Sequence, residues 1–395
     1  MVLPVRQPFA RGGRRASKLA GAHATCELEI PWTVNIYPRM PTDVAPGTEA
    51  GGDRPLVVRF GAFGDMVLLT ALIRELHARW QRPVDVLTSG SWSEPLLRGQ
   101  PGVGDVYSLR SRKTPYWFSA GQQRVVSRLR ARGAGPTWLC DDSDESRALL
   151  GRAGINAAQI VDVRDHPLRD GEHATEQWRR LAAISPAAWA DRAPPGEFTG
   201  LRGCGLAVAA EARADLDAWL ERRGLADAPL ILIQIGNKRT MRRGLRRLAV
   251  NHKHWPHERW AEVIRAVGTD RPRHTIVLLG AGPEYALNEA VAALARGART
   301  HNAADDLPVP RLVALLARAE ALITVDSGPA HAAAAVGCPL VVLFGKASPS
   351  LYRPSGVAGA PVELVRGEIG GEPSMLGIST QTVVDAWRRL GPRTT

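Results

Sequence analysis

Residues 55–80 read PLVVRFGAFGDMVLLTALIRELHARW, and this stretch decides the fold class. The apolar run at 55–60 predicts a buried strand, and Gly61 and Gly64 turn the chain after it. Asp65 then opens a predicted helix whose apolar residues recur at helical spacing: Met66, Leu69, Ile73, Leu76 and Trp80. When such strand–turn–helix units repeat, they build a parallel sheet covered by helices on both faces.

The same alternation continues along the chain and restarts once. Further strands are predicted at 84–87, 105–107, 137–140 and 160–163, with helices at 116–132 and 143–151. The pattern restarts with a strand at 230–235, followed by strands at 275–279, 321–325 and 339–344 and by helices from about 257, 284 and 310. The sequence therefore predicts two doubly wound, Rossmann-like α/β domains that face each other across a nucleotide-binding cleft.

The predicted domain boundaries follow from this pattern. We expect a poorly ordered basic tail at 1–54, a first domain at 55–215, a second domain at 225–378 and a closing helix at 379–391 that Ser379 caps. The stretch at about 200–228, rich in Ala, Gly, Arg and Asp, is the predicted joint between the two domains.

The charge of the chain predicts anionic partners. The formal net charge is +12, and seven of the basic residues, with no acidic one, fall within 238–253. The four cysteines are far apart, which fits neither a disulfide framework nor a zinc module. No apolar run approaches the ~20 residues that span a bilayer. We expect a cytoplasmic protein with peripheral contact at the inner face of the inner membrane.

Three segments carry the predicted chemistry. At the end of the first strand, Asp65 is placed to accept the proton of an attacking hydroxyl, or else it only caps its helix. At 326–331, backbone N–H groups from Ser327 onward would hold a diphosphate at a helix N-terminus, near His331; a packed helix histidine is the alternative. Lys253 would neutralise charge on a departing phosphate, unless it is an ordinary surface lysine.

A metal site is not predicted. His252, His254 and His257 cluster in sequence, but their spacing matches no recognised ligand pattern. We therefore expect no metal and no cofactor, with a nucleotide-sugar as co-substrate.

Together, these motifs resemble glycosyltransferase family 9, the bacterial lipopolysaccharide heptosyltransferases. The resemblance rests on residues 59–70 (RFGAFGDMVLLT), 253–260 (KHWPHERW), 279–284 (LGAGPE) and 325–337 (VDSGPAHAAAAVG). It covers about residues 55–390, and the last of these motifs is the most specific.

The resemblance implies a two-domain GT-B fold, with the acceptor on the first domain and the nucleotide-sugar on the second. It implies that Asp65 is the general base and that Lys253 stabilises the departing nucleotide diphosphate. Other residues implied at the donor site are Glu284 at the nucleoside, Asp326, Ser327, Gly328 and His331 at the diphosphate and sugar, and the glycine turns Gly61, Gly64, Gly280 and Gly282. The implied reaction is an inverting, metal-independent transfer from ADP-heptose to an inner-core lipopolysaccharide sugar.

Two departures from the family pattern loosen the choice of donor. His252 stands where the family has Ser or Thr, and an Arg-rich insertion, 238–252, separates Gly236 from the motif lysine. We expect this insertion to contact phosphate or anionic lipid through Arg242, Arg243, Arg246 and Arg247, unless it is simply a solvated basic loop. Three alternatives stay open: another nucleotide-sugar used for an O-chain, capsule or protein acceptor, a non-catalytic nucleotide-binding protein, and a DNA-binding protein. The last lacks any recognition-helix motif.

Overall fold

The computed structural model describes residues 53–195, 198–237 and 251–390. Strands and helices alternate through the first part of the described chain, which consists of β1 (Leu56–Val58), α1 (Phe63–Trp80), β2 (Val84–Thr88), α2 (Ser93–Leu97), β3 (Val103–Ser108), α3 (Ala120–Arg132), β4 (Thr137–Leu139), α4 (Asp144–Arg152), β5 (Ile160–Asp162) and α5 (Ala174–Ala182).

These strands form one parallel sheet in the order β3-β2-β1-β4-β5. The central strand β1 is fully buried, which explains why its sequence is a continuous apolar run without alternation. All carboxyl ends of the strands lie at one edge, so the turn after β1 opens at that edge.

The second part of the described chain repeats the architecture. It consists of α6 (Ala210–Arg222), β6 (Leu230–Gln234), α7 (His257–Asp270), β7 (Thr275–Leu279), α8 (Tyr285–Leu294), β8 (Thr300–Asn302), α9 (Val309–Arg318), β9 (Ala321–Val325), α10 (Gly328–Ala335), β10 (Leu340–Phe344), α11 (Pro349–Tyr352), β11 (Val362–Arg366), β12 (Glu368–Ile369), β13 (Glu372–Pro373) and α12 (Thr380–Leu390). Within the described residues, β11-β10-β9-β6-β7-β8 form a parallel sheet, and β12 and β13 form a short antiparallel ladder.

The predicted pair of Rossmann-like sheets is confirmed, but several helix ends differ from prediction. Helix α1 begins at Phe63 and not at Asp65, because the Asp65 carboxylate reaches back to the Ala62 N–H from the third helical position. The helix predicted at 116–132 begins at Ala120, where Ser119 accepts the Gln122 N–H as an N-cap. The residues before it form a separate 3₁₀ turn, Tyr116–Phe118.

The predicted joint contains both an extended segment and a helix. Residues 199–206 lie along α1, whose buried Arg74 donates to the carbonyls of Leu201 and Gly203. Helix α6 then packs on α9, where the Trp219 indole N–H donates to Asp306 at 3.0 Å. The domain boundaries at 215 and 225 stay a prediction.

The closing helix packs on the second sheet. Helix α12 lies against β10, β11 and α7, and it buries Val383, Val384 and Trp387. Ser379 Oγ accepts the Thr382 N–H at 3.1 Å, so this residue caps the helix as predicted. Across the described residues, no helix combines the length and the apolar character that crossing a bilayer requires.

The two sheet-bearing parts meet at the N-termini of α1 and α10. Helix α1 packs on α5 on one side and on α10 on the other, so most of its surface is buried. Glycines make this contact close: a Cβ on Gly328 would lie 2.5 Å from Phe63 Cδ1 and 3.0 Å from the Gly64 nitrogen. Neither Gly64 nor Gly328 has a positive φ, so the reason for glycine at both positions is space.

We predict that Gly328→Ala destabilises the protein by about 1–3 kcal/mol more than the matched variant Gly282→Ala. Both glycines stand at the first helical position before a proline, so both variants carry the same pre-proline restriction on an alanine. A Cβ on Gly282 meets no atom of the described residues within 4 Å, whereas one on Gly328 overlaps α1. The check is chemical denaturation of the two variants, and equal midpoints would contradict the close contact.

Candidate active site

The contact between α1 and α10 brings together residues from three of the predicted motifs. Asp65 lies in the first turn of α1, His331 lies in the first turns of α10, and Asp326 ends the turn that precedes α10. A Cβ on Gly64 would lie 3.0 Å from His331 Cδ2, so the α1 turn directly touches the histidine ring. Lys253 reaches this cluster from the segment before α7.

Asp65 combines a cap with a free face. Its Oδ2 accepts the Ala62 N–H at 2.6 Å, while Oδ1 lies 3.9 Å from Arg59 Nη2 and the side chain is 37% exposed. Gly61 is required for this placement, since a Cβ there would lie 2.6 Å from Asp65 Cβ. The capping interpretation of Asp65 is therefore correct, and it leaves one carboxylate oxygen available for a second task.

Arg59 belongs to the motif at 59–70 but is not among the predicted site residues. Its Nη1 donates to the Cys140 carbonyl at 2.5 Å, and its guanidinium lies 5.7 Å from the centre of the Trp178 ring. These contacts hold the cation next to Asp65. Because its partners follow β4 or lie on α5, no local sequence signal pointed to this role.

Lys253 is paired with Asp326. Its Nζ donates to Asp326 Oδ2 at 2.6 Å and to the Asp326 carbonyl at 2.8 Å, and the lysine side chain keeps 28% exposure. The Lys253 backbone N–H donates to Asn251 Oδ1 at 3.2 Å, which fixes the start of the lysine segment. Lys253 is therefore a positioned ammonium beside the α10 N-terminus and not an ordinary surface lysine.

The N-terminus of α10 presents uncapped backbone donors. The Ser327 side chain makes no cap, because its hydroxyl bonds Thr324 Oγ1 at 3.1 Å. The first N–H groups of a helix have no intrahelical acceptor, and the helix dipole adds partial positive charge at the same place. With Lys253 alongside, this helix end suits a diphosphate.

His331 is a buried neutral imidazole. Burial lowers its pKa to about 4, against the opposing charges of Asp326 and Asp65. His173 and Lys253 lower the pKa further, and His173 is a neighbour that the sequence did not reveal. Within the described chain, His331 Nδ1 has no hydrogen-bond partner, so a buried polar atom at this site is left for a ligand.

Glu284 follows β7, and β6 lies between this strand and β9 in the sheet. Its Oε2 accepts the Ala281 N–H at 3.0 Å, while Oε1 has no partner at hydrogen-bonding geometry among the described residues. Burial raises the pKa of Glu284 to about 7, against the donors of Ala281 and Gln234. Gly236 leaves the space for this carboxylate, since a Cβ there would lie 1.8 Å from Oε1.

The remaining predicted residues divide into three groups. Gly280 packs closely under Glu284 and Ala304, whereas a Cβ on Gly282 would meet none of the described residues within 4 Å. His254 and His257 lie with ring centres 5.6 Å apart, and the described residues offer no third side chain that completes a metal-ligand group. The basic insertion residues lie outside the described residues: Arg242, Arg243, Arg246 and Arg247.

Comparison with known proteins shows the family. Residues 216–364 match the model described as glycosyltransferase family 9 (heptosyltransferase). Lipopolysaccharide heptosyltransferase 2 of Salmonella typhimurium is 34% identical to this chain over 338 residues, which cover 79% of this chain and 88% of that protein.

Two solved structures share the fold. A family 9 glycosyl transferase from Veillonella parvula matches with a TM-score of 0.68 at 20% identity, covering 86% of this chain and 97% of that one. A structure described as E. coli ADP-heptose lipopolysaccharide heptosyltransferase II matches with a TM-score of 0.64 at 22% identity, covering 85% and 98%.

Two parallel α/β sheets of this kind make up the GT-B fold, as the sequence predicted. The chain belongs to glycosyltransferase family 9, the heptosyltransferase family.

We predict that Glu284→Gln stabilises the nucleotide-free protein increasingly as pH rises. The folded-state pKa of about 7 lies above the ordinary 4.5, so the stability that the protonated carboxyl contributes is complete below about pH 4.5 and is lost as pH rises through 7. Glutamine mimics the protonated form and does not titrate. The variant's advantage should grow from about 1 kcal/mol at pH 5 to on the order of 3 kcal/mol at pH 8.

The measurement is the thermal unfolding midpoint across this pH range, with the exposed Glu289→Gln on the following helix, α8, as the control. A difference between Glu284→Gln and the wild type that does not change with pH would contradict the buried, protonated state of Glu284.

Proposed function

We propose that this glycosyltransferase moves heptose from ADP-heptose to a lipopolysaccharide core-type acceptor by a single inverting displacement. The observation that supports the proposal is the close contact of α1 with α10, because α1 carries Asp65 in its first turn and the Lys253–Asp326 pair lies next to the uncapped N-terminus of α10. The donor and acceptor follow the names of the relatives, a lipopolysaccharide heptosyltransferase 2 and an ADP-heptose lipopolysaccharide heptosyltransferase II.

In the proposed reaction, Asp65 Oδ1 takes the proton of the acceptor hydroxyl. The Ala62 N–H holds Oδ2, so the carboxylate keeps one orientation with its other oxygen exposed. The acceptor oxygen then bonds to the anomeric carbon while the bond from that carbon to the diphosphate breaks on the opposite side, which inverts the configuration. Asp65 retains the proton and ADP carries away the electron pair.

The departing diphosphate gains negative charge, and the second domain supplies positive charge to match it. An ammonium has three N–H donors, and Lys253 gives two of them to Asp326, which leaves one for a phosphate oxygen. The N–H groups at the start of α10 act on the same atoms. The neutral His331 ring adds a further polar group with an open Nδ1.

Glu284 is the proposed ribose ligand. Its unpaired Oε1 accepts a ribose hydroxyl, and this bond favours the ionised carboxylate that burial alone disfavours.

In this scheme Lys253 and the α10 N-terminus supply the charge that a divalent ion supplies in other glycosyltransferases, so we propose a metal-independent enzyme without a cofactor. The acceptor binds at the carboxyl edge of the first sheet, next to Asp65. We further propose that the enzyme works on the cytoplasmic side of the inner membrane, where it meets its anionic glycolipid, and that it binds no specific nucleic acid.

We predict that Asp65→Asn lowers kcat by about 10²–10⁴-fold, because the amide cannot accept the proton, while ADP raises the melting temperature of the variant as it does that of the wild type. The assay measures ADP release from ADP-heptose with a delipidated core acceptor in the presence of a chelator. The matched control is Asp144→Asn, a helix-start carboxylate with an 88% exposed side chain on α4, which should keep wild-type turnover.

Retained turnover in Asp65→Asn would remove this residue from the base role. A wild-type rate that the chelator abolishes and Mg²⁺ restores would contradict the metal-free mechanism, and turnover with a nucleotide-sugar other than ADP-heptose would replace the donor.

A further inference from the structure

Two adjacent aromatic side chains are left in water on the first domain. Trp117 is 82% exposed and Phe118 is 84% exposed, and the next most exposed large apolar side chain in the described chain is Ile369 at 55%. Single exposed apolar residues are ordinary, but two neighbouring exposed aromatic side chains form an apolar patch, and such patches are typical of binding surfaces.

The backbone below this aromatic pair is braced. Gln123 Nε2 donates to the carbonyls of both Tyr116 and Trp117 at 3.2 Å, and the Phe118 N–H donates to the Pro115 carbonyl at 3.0 Å. Tyr116 packs on the apolar core of the first domain, which anchors the turn from beneath. The two rings therefore project from a fixed turn and not from a loosely held loop.

The segment that carries the aromatic pair is strongly basic in sequence. Residues 109–132 contain seven arginine or lysine residues and no aspartate or glutamate. Several of the seven have structural partners, such as Arg112 with Asp141 and Arg132 with Asp85. Arg110, Lys113 and Arg124 are exposed and lie within seven residues of the aromatic pair in sequence, and Lys113 also interacts with the Glu145 carboxylate.

The turn belongs to the edge of the sheet that carries Asp65. It follows β3, and the Arg112 guanidinium lies 4.7 Å from the centre of the Phe60 ring in the turn after β1. Arg112 also pairs at 2.7 Å with Asp141, which follows β4. The segment thus reaches across the carboxyl edge of the first sheet, where we propose that the acceptor binds.

We infer that Trp117 and Phe118, with Arg110, Lys113 and Arg124, form a docking surface for an anionic phospholipid membrane. The inference rests on the proposed function in that the acceptor is a membrane glycolipid. Indole and phenyl rings bind at the boundary between headgroups and acyl chains, and the basic side chains pair with lipid phosphates. The surface holds the Asp65 edge of the enzyme at the membrane that contains the acceptor.

The area and charge of the patch favour a membrane over a second copy of this chain. Two aromatic side chains bury about 150–250 Å² each, well below the ~800 Å² per partner of a stable protein interface. A second copy would also bring an equally basic surface against this one, so like charges would meet.

The test is co-flotation of the full chain with two kinds of vesicle, phosphatidylcholine alone and phosphatidylcholine mixed with phosphatidylglycerol, without donor or acceptor. We expect the wild type to bind the anionic vesicles and Trp117→Ser/Phe118→Ser to partition at least about tenfold less. Ile369→Ser/Leu376→Ser, which removes two exposed apolar side chains from the second domain, should bind as the wild type does. Arg110→Gln/Lys113→Gln should bind the anionic vesicles more weakly.

Two further measurements on the variants separate an effect on folding or catalysis from an effect on membrane binding. The melting temperature and turnover with a delipidated acceptor should be unchanged in Trp117→Ser/Phe118→Ser, because neither side chain touches the proposed site. If transfer fails in the wild type while vesicle binding follows these expectations, the proposed function is wrong and the docking surface stands.

Equal vesicle binding by the wild type and Trp117→Ser/Phe118→Ser, whether strong or absent, would overturn the inference. So would a wild-type dimer that this double variant dissociates while vesicle binding is retained, because the patch would then cover a second copy.

Discussion

The close contact between the N-termini of α1 and α10 is the constraint on which the rest of the site depends. Gly64 and Gly328 let the backbones of the two helices approach closely, with the Phe63 and His331 side chains packed at the contact. Asp65 lies in α1, which follows β1 of the first sheet, and α10 follows β9 of the second sheet. The contact between these two helices therefore brings Asp65 near the N-terminus of α10. It also buries His331 beneath the α1 turn, and that burial lowers the histidine's pKa.

Each charged group of the site is held by one partner within the protein and keeps at least one hydrogen-bonding position unfilled. Lys253 gives two donors to Asp326, Asp65 gives one oxygen to the Ala62 N–H, and Glu284 keeps an unpaired buried oxygen. A buried polar atom without a partner costs stability, so these open positions are consistent with a site completed by its substrates. Orientation is fixed in advance, which reduces the reorganisation that catalysis would require.

Local patterns in the sequence predicted much of the fold. The strand predicted at 321–325 is a buried strand, residues 56–58 of the strand predicted at 55–60 form buried β1, and Ser379 caps the last helix, as expected. The start of α3 was missed because Ser119 offers a better cap than the residues before it, and α1 starts early because Asp65 caps from inside the helix. In both cases a side-chain hydrogen bond set the boundary, and periodicity alone does not detect such a bond.

Lys253, Asp326 and His331 lie close together in the structure, but several of the residues around the motifs were not predictable. Arg59 is held by the Cys140 carbonyl, and His173 acts on His331 from a distant position in the chain. Gly236 makes room for Glu284 although 48 residues separate them. Such pairs depend on which strands lie side by side, and a single sequence carries no local signal for that.

A crystal structure of this protein with ADP would test directly whether the N-terminus of α10 binds the diphosphate next to Asp65. We expect the diphosphate at the N-terminus of α10, within about 3 Å of the Gly328 N–H and Lys253 Nζ. The ribose should bind Glu284, and Asp65 should face the terminal phosphate. ADP bound away from α10, or a diphosphate from which the intact α1–α10 contact separates Asp65, would contradict it.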